Sequence, residues 1–212
     1  MGRKPIDKVR IDNPELCEDW VRQVAPFFFQ KGLDAFNMNE ISLILDVSKA
    51  TLYKHYSTHV EVLEEMVDMR VANVAEFEML LFDEHLTYWE RYRDAMTYVC
   101  ERLSDVSALF ISDLHAGFPY LHERIRVLQN FITERFRVFY EEGVADGFIS
   151  KDYEPHLLAV LDHNFILQVC EPTFLKQNNL SLQPVINAHF NIKQKGIFKS
   201  ATATHEPSAL SA

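Results

Sequence analysis

The stretch Val47-Ser48-Lys49-Ala50-Thr51-Leu52-Tyr53-Lys54-His55-Tyr56 holds two lysines, a histidine, a serine, a threonine and two tyrosines, with no acid. It sits in a chain of 212 residues that carries 31 acids against 21 Lys/Arg, a formal charge of −10. Ser48 is a good helix N-cap, and Leu52 and Tyr56 share one helical face at i and i+4. The spacing predicts a short helix over residues 48–56, pinned through Leu52 and Tyr56. Its other side chains suit a polyanion: the hydroxyls of Ser48 and Thr51 can donate to phosphate oxygens, and Lys49 and Lys54 bring charge that acts through counterion release. Tyr53 and His55 add further donors.

The flanking sequence supplies the frame. Asn13-Pro14 opens a first helix, with Glu15, Glu18 and Asp19 near its positive end and Leu16, Trp20, Val24 and Phe27/Phe28 at helical spacing. Pro26 is expected to kink this helix, and Lys31-Gly32 to close it. A second short helix is expected over about 39–46, with Ile41, Ile44 and Leu45 on one face. After Ser57-Thr58, apolar residues from Val60 to Phe77 hold a three-to-four spacing for about five turns. That is longer than a three-helix domain needs. Two short helices joined by a tight turn, then a long one, make a helix-turn-helix at about 38–56, whose second helix enters the major groove of DNA.

The segment FFQKGLDAFNMNEISLILDVSKATLYKHYSTHVEVL, from Phe28 to Leu63, resembles the DNA-binding domain of the TetR family of bacterial transcriptional regulators. The pattern Val-Ser-x-x-Thr-Leu-Tyr-x-His-aromatic ahead of a long helix is nearly unbroken over Val47–Tyr56. The resemblance covers 45 to 60 residues and implies a one-component regulator. Its DNA contacts would be Ser48, Lys49, Thr51, Tyr53, Lys54 and His55. Two copies would bind a palindromic operator and be released by a small-molecule effector. Three positions depart from the pattern. Asp46 stands where glycine is usual, although Asp tolerates left-handed geometry better than most residues. Met38 replaces a frequent threonine and His59 a frequent lysine, so two phosphate contacts are expected to weaken.

Charge agrees with a polyanion partner at one end only. Residues 1–60 hold eight bases and eight acids, whereas residues 61–212 hold 13 bases and 23 acids. Residues 1–12 read as a basic arm, in which Arg3 and Lys4 are candidate DNA contacts. Residues 13–60 form the expected DNA-binding domain, and residues 61–199 an all-helical body for effector binding and dimerisation. The small, polar residues 200–212 read as a disordered tail.

In the body, helices are expected over 87–103, 106–114, 121–143, 156–170 and 184–195. The last two, being apolar, are the expected homodimer interface. Aromatic residues abound, and Trp89, Tyr92, Phe110, Phe118, Phe131 and Phe165 are the candidate lining of a pocket for a hydrophobic or aromatic effector. Nine histidines invite a metal reading, but neither Asp113/His115 nor Asp162/His163 has the spacing that puts two ligands on one helical face, so neither metal nor cofactor is expected. Cys17, Cys100 and Cys170 fit no disulfide or metal pattern and read as reduced thiols of a cytoplasmic protein. No membrane span, signal peptide or catalytic constellation is evident. The rival readings are an interaction or ligand-binding module that has lost specific DNA binding, and a helical enzyme.

Overall fold

A computed structural model describes residues 13–197. Arg3, Lys4 and the tail from residue 200 lie outside the described residues. Every regular element described is a helix: α1 (Pro14–Lys31), α2 (Met38–Ile44), α3 (Lys49–Leu52), α4 (His59–Ala75), α5 (Phe77–Leu81), α6 (Tyr88–Leu103), α7 (Ala108–Gly117), α8 (Pro119–Ala145), α9 (Pro155–Val169), α10 (Pro172–Gln177) and α11 (Leu182–Gly196). The chain is therefore all-α, with an N-terminal helix-turn-helix unit followed by a helical body. None of these helices is long and apolar enough to cross a membrane.

Local signals set the first boundaries. Asn13 accepts the Leu16 N–H, Pro14 occupies the first turn, and Gly32 closes α1 at φ 77. Helical structure continues through Pro26, the proline being held within α1 by packing on both flanks. Here Val24, Ala25, Phe28 and Phe29 are all buried. Expected and observed ends differ elsewhere. The helix expected to reach Phe77 stops at Ala75, and α5 starts separately at Phe77. The helix expected through Tyr56 is α-helical only to Leu52.

Two cores result. The first gathers Trp20, Val24 and Phe28 of α1, Ile41 of α2, Leu52 and Tyr56, and Leu63, Met66 and Val67 of α4. It also takes in Phe110, Leu114 and Leu121, so α7 and the start of α8 close over the helix-turn-helix. The second core gathers Phe77, Tyr92, Phe136, Phe139, Leu158, Ile166 and Ile186 from α5, α6, α8, α9 and α11. Two helices belong to both. α4 buries Leu63 and Met66 in the first core and Val74 in the second. α8, with 27 residues and therefore about 40 Å long, runs from Leu121 in one to Tyr140 in the other.

Candidate nucleic-acid interface and the adjoining cavity

The turn between α2 and α3 depends on one residue. Asp46 adopts φ 51, the left-handed region, and the following Val47 N–H returns to the Ser42 carbonyl at 3.1 Å. The departure from glycine is thus accommodated by a residue that enters this region at lower cost than most. Ser48 then caps α3, its Oγ accepting the Thr51 N–H at 3.0 Å. Beyond Leu52 the chain continues as hydrogen-bonded turns, with Lys54 N–H to Thr51 O and His55 N–H to Leu52 O. These i to i+3 bonds, beside those of the Tyr53 and Tyr56 N–H groups to Lys49 O and Leu52 O, tighten the end of the helix.

This geometry sorts the candidate contacts. Ser48, Lys49, Tyr53 and Lys54 are exposed and Thr51 is half-buried, and all five lie on one short segment. The hydroxyls of Ser48 and Thr51 bond each other at 2.8 Å, so of their two protons one is used internally and one can point to a phosphate. His55 does not join the exposed group. It is buried, its ring standing edge-on to Trp20 at 5.0 Å and its Nδ1 lying 3.9 Å from Cys17 Sγ. The tightened turn directs this side chain onto α1, where it fastens the recognition segment rather than extending it. Tyr56 does the same, donating to Glu65 at 2.6 Å from a hydroxyl whose pKa burial and that carboxylate push up.

The two other departures also have defined places in the fold. Met38 is buried in the first core, and the cap of α2 is Asn37, which accepts the N–H groups of Asn39 and Glu40. The capping side chain at this helix start is therefore that of residue 37. His59, at the start of α4, sets its ring edge-on to Phe36 at 5.7 Å.

Behind this segment lies a cavity of about 250 Å³. Its apolar wall comes from Phe29 of α1, Val67 of α4, Phe110 of α7, Leu128 and Ile132 of α8, and Ile166 of α9. Of the six aromatics expected to line a pocket, only Phe110 does so. Tyr92 is sealed in the second core, Trp89 packs on Tyr92 and Phe190, Phe131 packs on Phe77, Phe165 stacks on His189, and Phe118 packs against the first core. Aromatic content marked where the body is dense, whereas the space opens between helices lined mainly by branched aliphatics. The polar groups reaching the cavity are Arg70, Gln129, His163 and Glu171. Sequence reading missed all four. Arg70 alone had a visible signal, a single base set among Val67, Val71 and Val74 on an otherwise apolar face.

The cavity adjoins contacts that tie the helix-turn-helix unit to the body. Arg70 donates to the Arg102 carbonyl and to Asp105 at 2.8 Å, while its guanidinium lies 4.5 Å over the Phe29 ring. Asp113 of α7 accepts the Leu33 N–H at 2.7 Å, and the Ser107 N–H donates to Phe29 O at 2.9 Å. Among the described residues, no group of three or more His, Cys, Asp or Glu side chains is disposed to hold a metal ion.

Comparison with known proteins places this geometry. Residues 27–66 match the family described as bacterial regulatory proteins, tetR family. No curated relative matches the chain in sequence. A TetR transcriptional regulator from Chloroflexus aurantiacus has a similar structure at 17% identity, with a TM-score of 0.70, covering 88% of this chain and 98% of that one. PfmR, a TetR family transcriptional regulator from Thermus thermophilus, is similar at 20% identity, a TM-score of 0.63 and coverage of 84% and 97%. SmeT, described as the repressor of a Stenotrophomonas maltophilia multidrug efflux pump, is similar at 15% identity, a TM-score of 0.64 and coverage of 87% and 91%. The helix-turn-helix segment thus matches the tetR family of bacterial regulatory proteins in sequence, and the surrounding fold is shared along most of its length with solved regulators of that family.

Proposed function

We propose that this DNA-binding regulator acts as a homodimeric repressor on a near-palindromic operator and is released from it by a small apolar effector held in the cavity. The observation that carries the reading is the shared wall. Phe29, Val67 and Arg70 line the cavity, and they belong to the same two helices, α1 and α4, that hold the recognition segment in place. An occupant that fits one arrangement of these helices better than another shifts their equilibrium, and DNA favours a different arrangement. Two recognition segments in successive major grooves must stand about 34–36 Å apart, so a small tilt of α4 is enough to spoil the fit.

Dimerisation through α9 and α11 is supported by the apolar side chains these helices leave exposed, Leu157 and Leu161 at i and i+4 on α9 and Ile192 on α11. The repressor role draws on likeness to SmeT at the level of fold alone. Ser48, Lys49, Thr51, Tyr53 and Lys54 are the proposed DNA contacts, with His55 reassigned to a structural role.

A mobility-shift titration on DNA flanking the chain's own gene, repeated over a salt series, tests the DNA contacts. A dimer presents Lys49 twice, so Lys49→Ala lowers the slope of log K against log salt by about 2, each phosphate contact contributing about 0.9. Tyr53→Phe weakens binding with the slope unchanged. Wild-type affinity and slope in both variants would remove the segment from the interface.

A further inference from the structure

One polar side chain joins the helix behind the recognition segment to three other parts of the molecule. Arg70 lies on α4, and its side chain is only 13% exposed. Its Nη1 donates to the Arg102 carbonyl at the end of α6, and its Nη2 donates to Asp105 Oδ2 at 2.8 Å, in the connection to α7. The guanidinium also lies 4.5 Å over the Phe29 ring of α1. Its planar fork of donors is rigid, and its charge does not titrate in a folded chain. Among the polar residues of the cavity wall, Arg70 alone belongs to the helices that carry the recognition segment. Gln129 and His163 lie on α8 and α9, and Glu171 precedes α10.

At its other end, α4 is fastened to the recognition segment. The Ser57 N–H donates to Glu61 at 3.0 Å, Tyr56 donates to Glu65 at 2.6 Å, and Thr58 caps the helix. Wherever α4 stands, residues 48–56 go with it. Arg70 stands about 16 Å along the helix axis from His59. A tilt of about 10° pivoting at Arg70 therefore carries that end of α4 roughly 3 Å.

Other ties between α4 and the body constrain that angle less. The contacts of Val71 and Val74 with the second core are apolar and non-directional, and packed helices slide over such contacts. The Glu64–Tyr120 and Asp68–Arg124 pairs join α4 to α8, but they lie at the surface, where such pairs contribute little.

We infer that Arg70 is a positioning residue for DNA recognition: its fork onto the Arg102 carbonyl and Asp105 sets the angle of α4, and with it the separation of the two recognition segments of a dimer. This rests on the reading of the chain as a dimer on an operator of two half-sites. Because Arg70 also stands in the cavity wall, an occupant that presses on it strains the same fork.

The test is how sharply the chain discriminates half-site spacing. The probes are a DNA fragment that the full-length wild-type chain selects from a random-sequence pool, and copies with one base pair inserted or removed between the half-sites. Each such step displaces one half-site by about 3.4 Å and turns it by roughly 35° about the DNA axis. In mobility shifts at one salt concentration, wild-type protein should bind the selected spacing at least about tenfold tighter than either altered copy. Arg70→Met keeps the length of the side chain but neither its charge nor its donors. It should weaken binding at the selected spacing and cut the ratio to below about threefold, with the salt slope unchanged because Arg70 meets no phosphate. A purely structural role would lower the folded fraction, reduce binding to all three fragments alike and keep the ratio. Wild-type discrimination in folded Arg70→Met protein therefore overturns the proposal. If that variant does not fold, Asp105→Ala removes one arm of the fork from the α6–α7 connection and decides in its place: a lowered ratio supports the proposal, and a wild-type ratio overturns it. Wild-type protein that binds all three spacings equally also overturns it, while leaving DNA binding intact. Folded wild-type protein that selects no fragment overturns the DNA-binding reading beneath it.

Discussion

The two cores of this chain are held together on different terms. In the first, each of the helices that build the helix-turn-helix unit is capped by the residue before it: Asn13, Asn37, Ser48 and Thr58. Its buried polar side chains are modest, Ser42 bonding within its own helix and His55 resting on Trp20. The second core encloses a charge. Asp162 of α9 is fully buried, 2.8 Å from Lys193 Nζ and 3.2 Å from His189 Nε2, both on α11. Tyr92 of α6 donates to it at 3.1 Å, and Tyr140 of α8 donates to its other oxygen. The first core therefore encloses no fully buried charge among the described residues. The body depends on one carboxylate that four helices must assemble around. Such an arrangement favours a single packing of α6, α8, α9 and α11.

Removing that carboxylate is the largest test of the contrast. Asp162→Ala leaves the ammonium of Lys193, itself only 5% exposed, without a counter-charge in the core. The expected loss is about 3–5 kcal/mol, the range for breaking one side of a buried pair, measured by urea denaturation. A loss below about 1 kcal/mol would put both cores on the same footing. The pH dependence carries a sign as well. Burial alone would raise the Asp162 carboxyl, but the His189 hydrogen bond and the Lys193 charge hold it below its ordinary value of 3.8. A depressed folded-state pKa contributes stability above the unfolded value, and that contribution disappears as pH falls through the folded one. Asp162→Ala should therefore flatten the stability curve below about pH 4 relative to wild type.

The same contrast explains what the sequence made legible. Caps, helix periods and the Val47–Tyr56 pattern are local signals, and they located α1 to α4 and the segment bearing Lys49, Tyr53 and Lys54. They overreached where a residue's type suggested a role that its direction denies. His55 reads as a donor, yet a turn tightened by two i to i+3 bonds points it at Trp20. The cavity was nearly illegible, because Phe29, Val67, Phe110, Leu128 and Ile166 come from five helices and share no pattern along the chain. Glu171 carries no signal of its own in the sequence. Only the fold shows that one of its oxygens is a cap and the other faces no donor.

Where the two units meet, glycine is required. Gly32 takes φ 77, and a β-carbon placed there would stand 2.5 Å from Asp113 Oδ2 and 2.8 Å from Leu109 Cγ. Gly32→Ala meets both a left-handed backbone, at about 1–2 kcal/mol, and a collision with α7 that must move the Asp113 carboxylate off the Leu33 N–H. A loss of about 2–3 kcal/mol is expected in denaturant titration, combining backbone strain with overpacking. Asp113→Ala gives a sharper reading of the same joint. It removes the hydrogen bond but adds no bulk, so it should cost about 1 kcal/mol. Equal losses in the two variants would show that the joint is held by the hydrogen bond alone.

The smallest effect sits at a second left-handed residue, Asp46, and it runs in the opposite direction. Asp46 holds φ 51 with nothing but the turn to require it, since Val47 N–H to Ser42 O is a backbone bond that any residue at 46 permits. Glycine adopts this geometry without the β-carbon penalty, although it also gains more freedom in the unfolded chain. The balance favours Asp46→Gly by about 0.5 kcal/mol. The substitution also deletes an exposed acid two residues ahead of Ser48, at the edge of the surface proposed to face phosphate. Operator affinity should rise at low salt, and the gain should shrink as salt rises toward the point where such charges are screened. A gain in stability with no change in low-salt affinity would mean that Asp46 faces away from the DNA, and the proposed interface would then begin at Ser48.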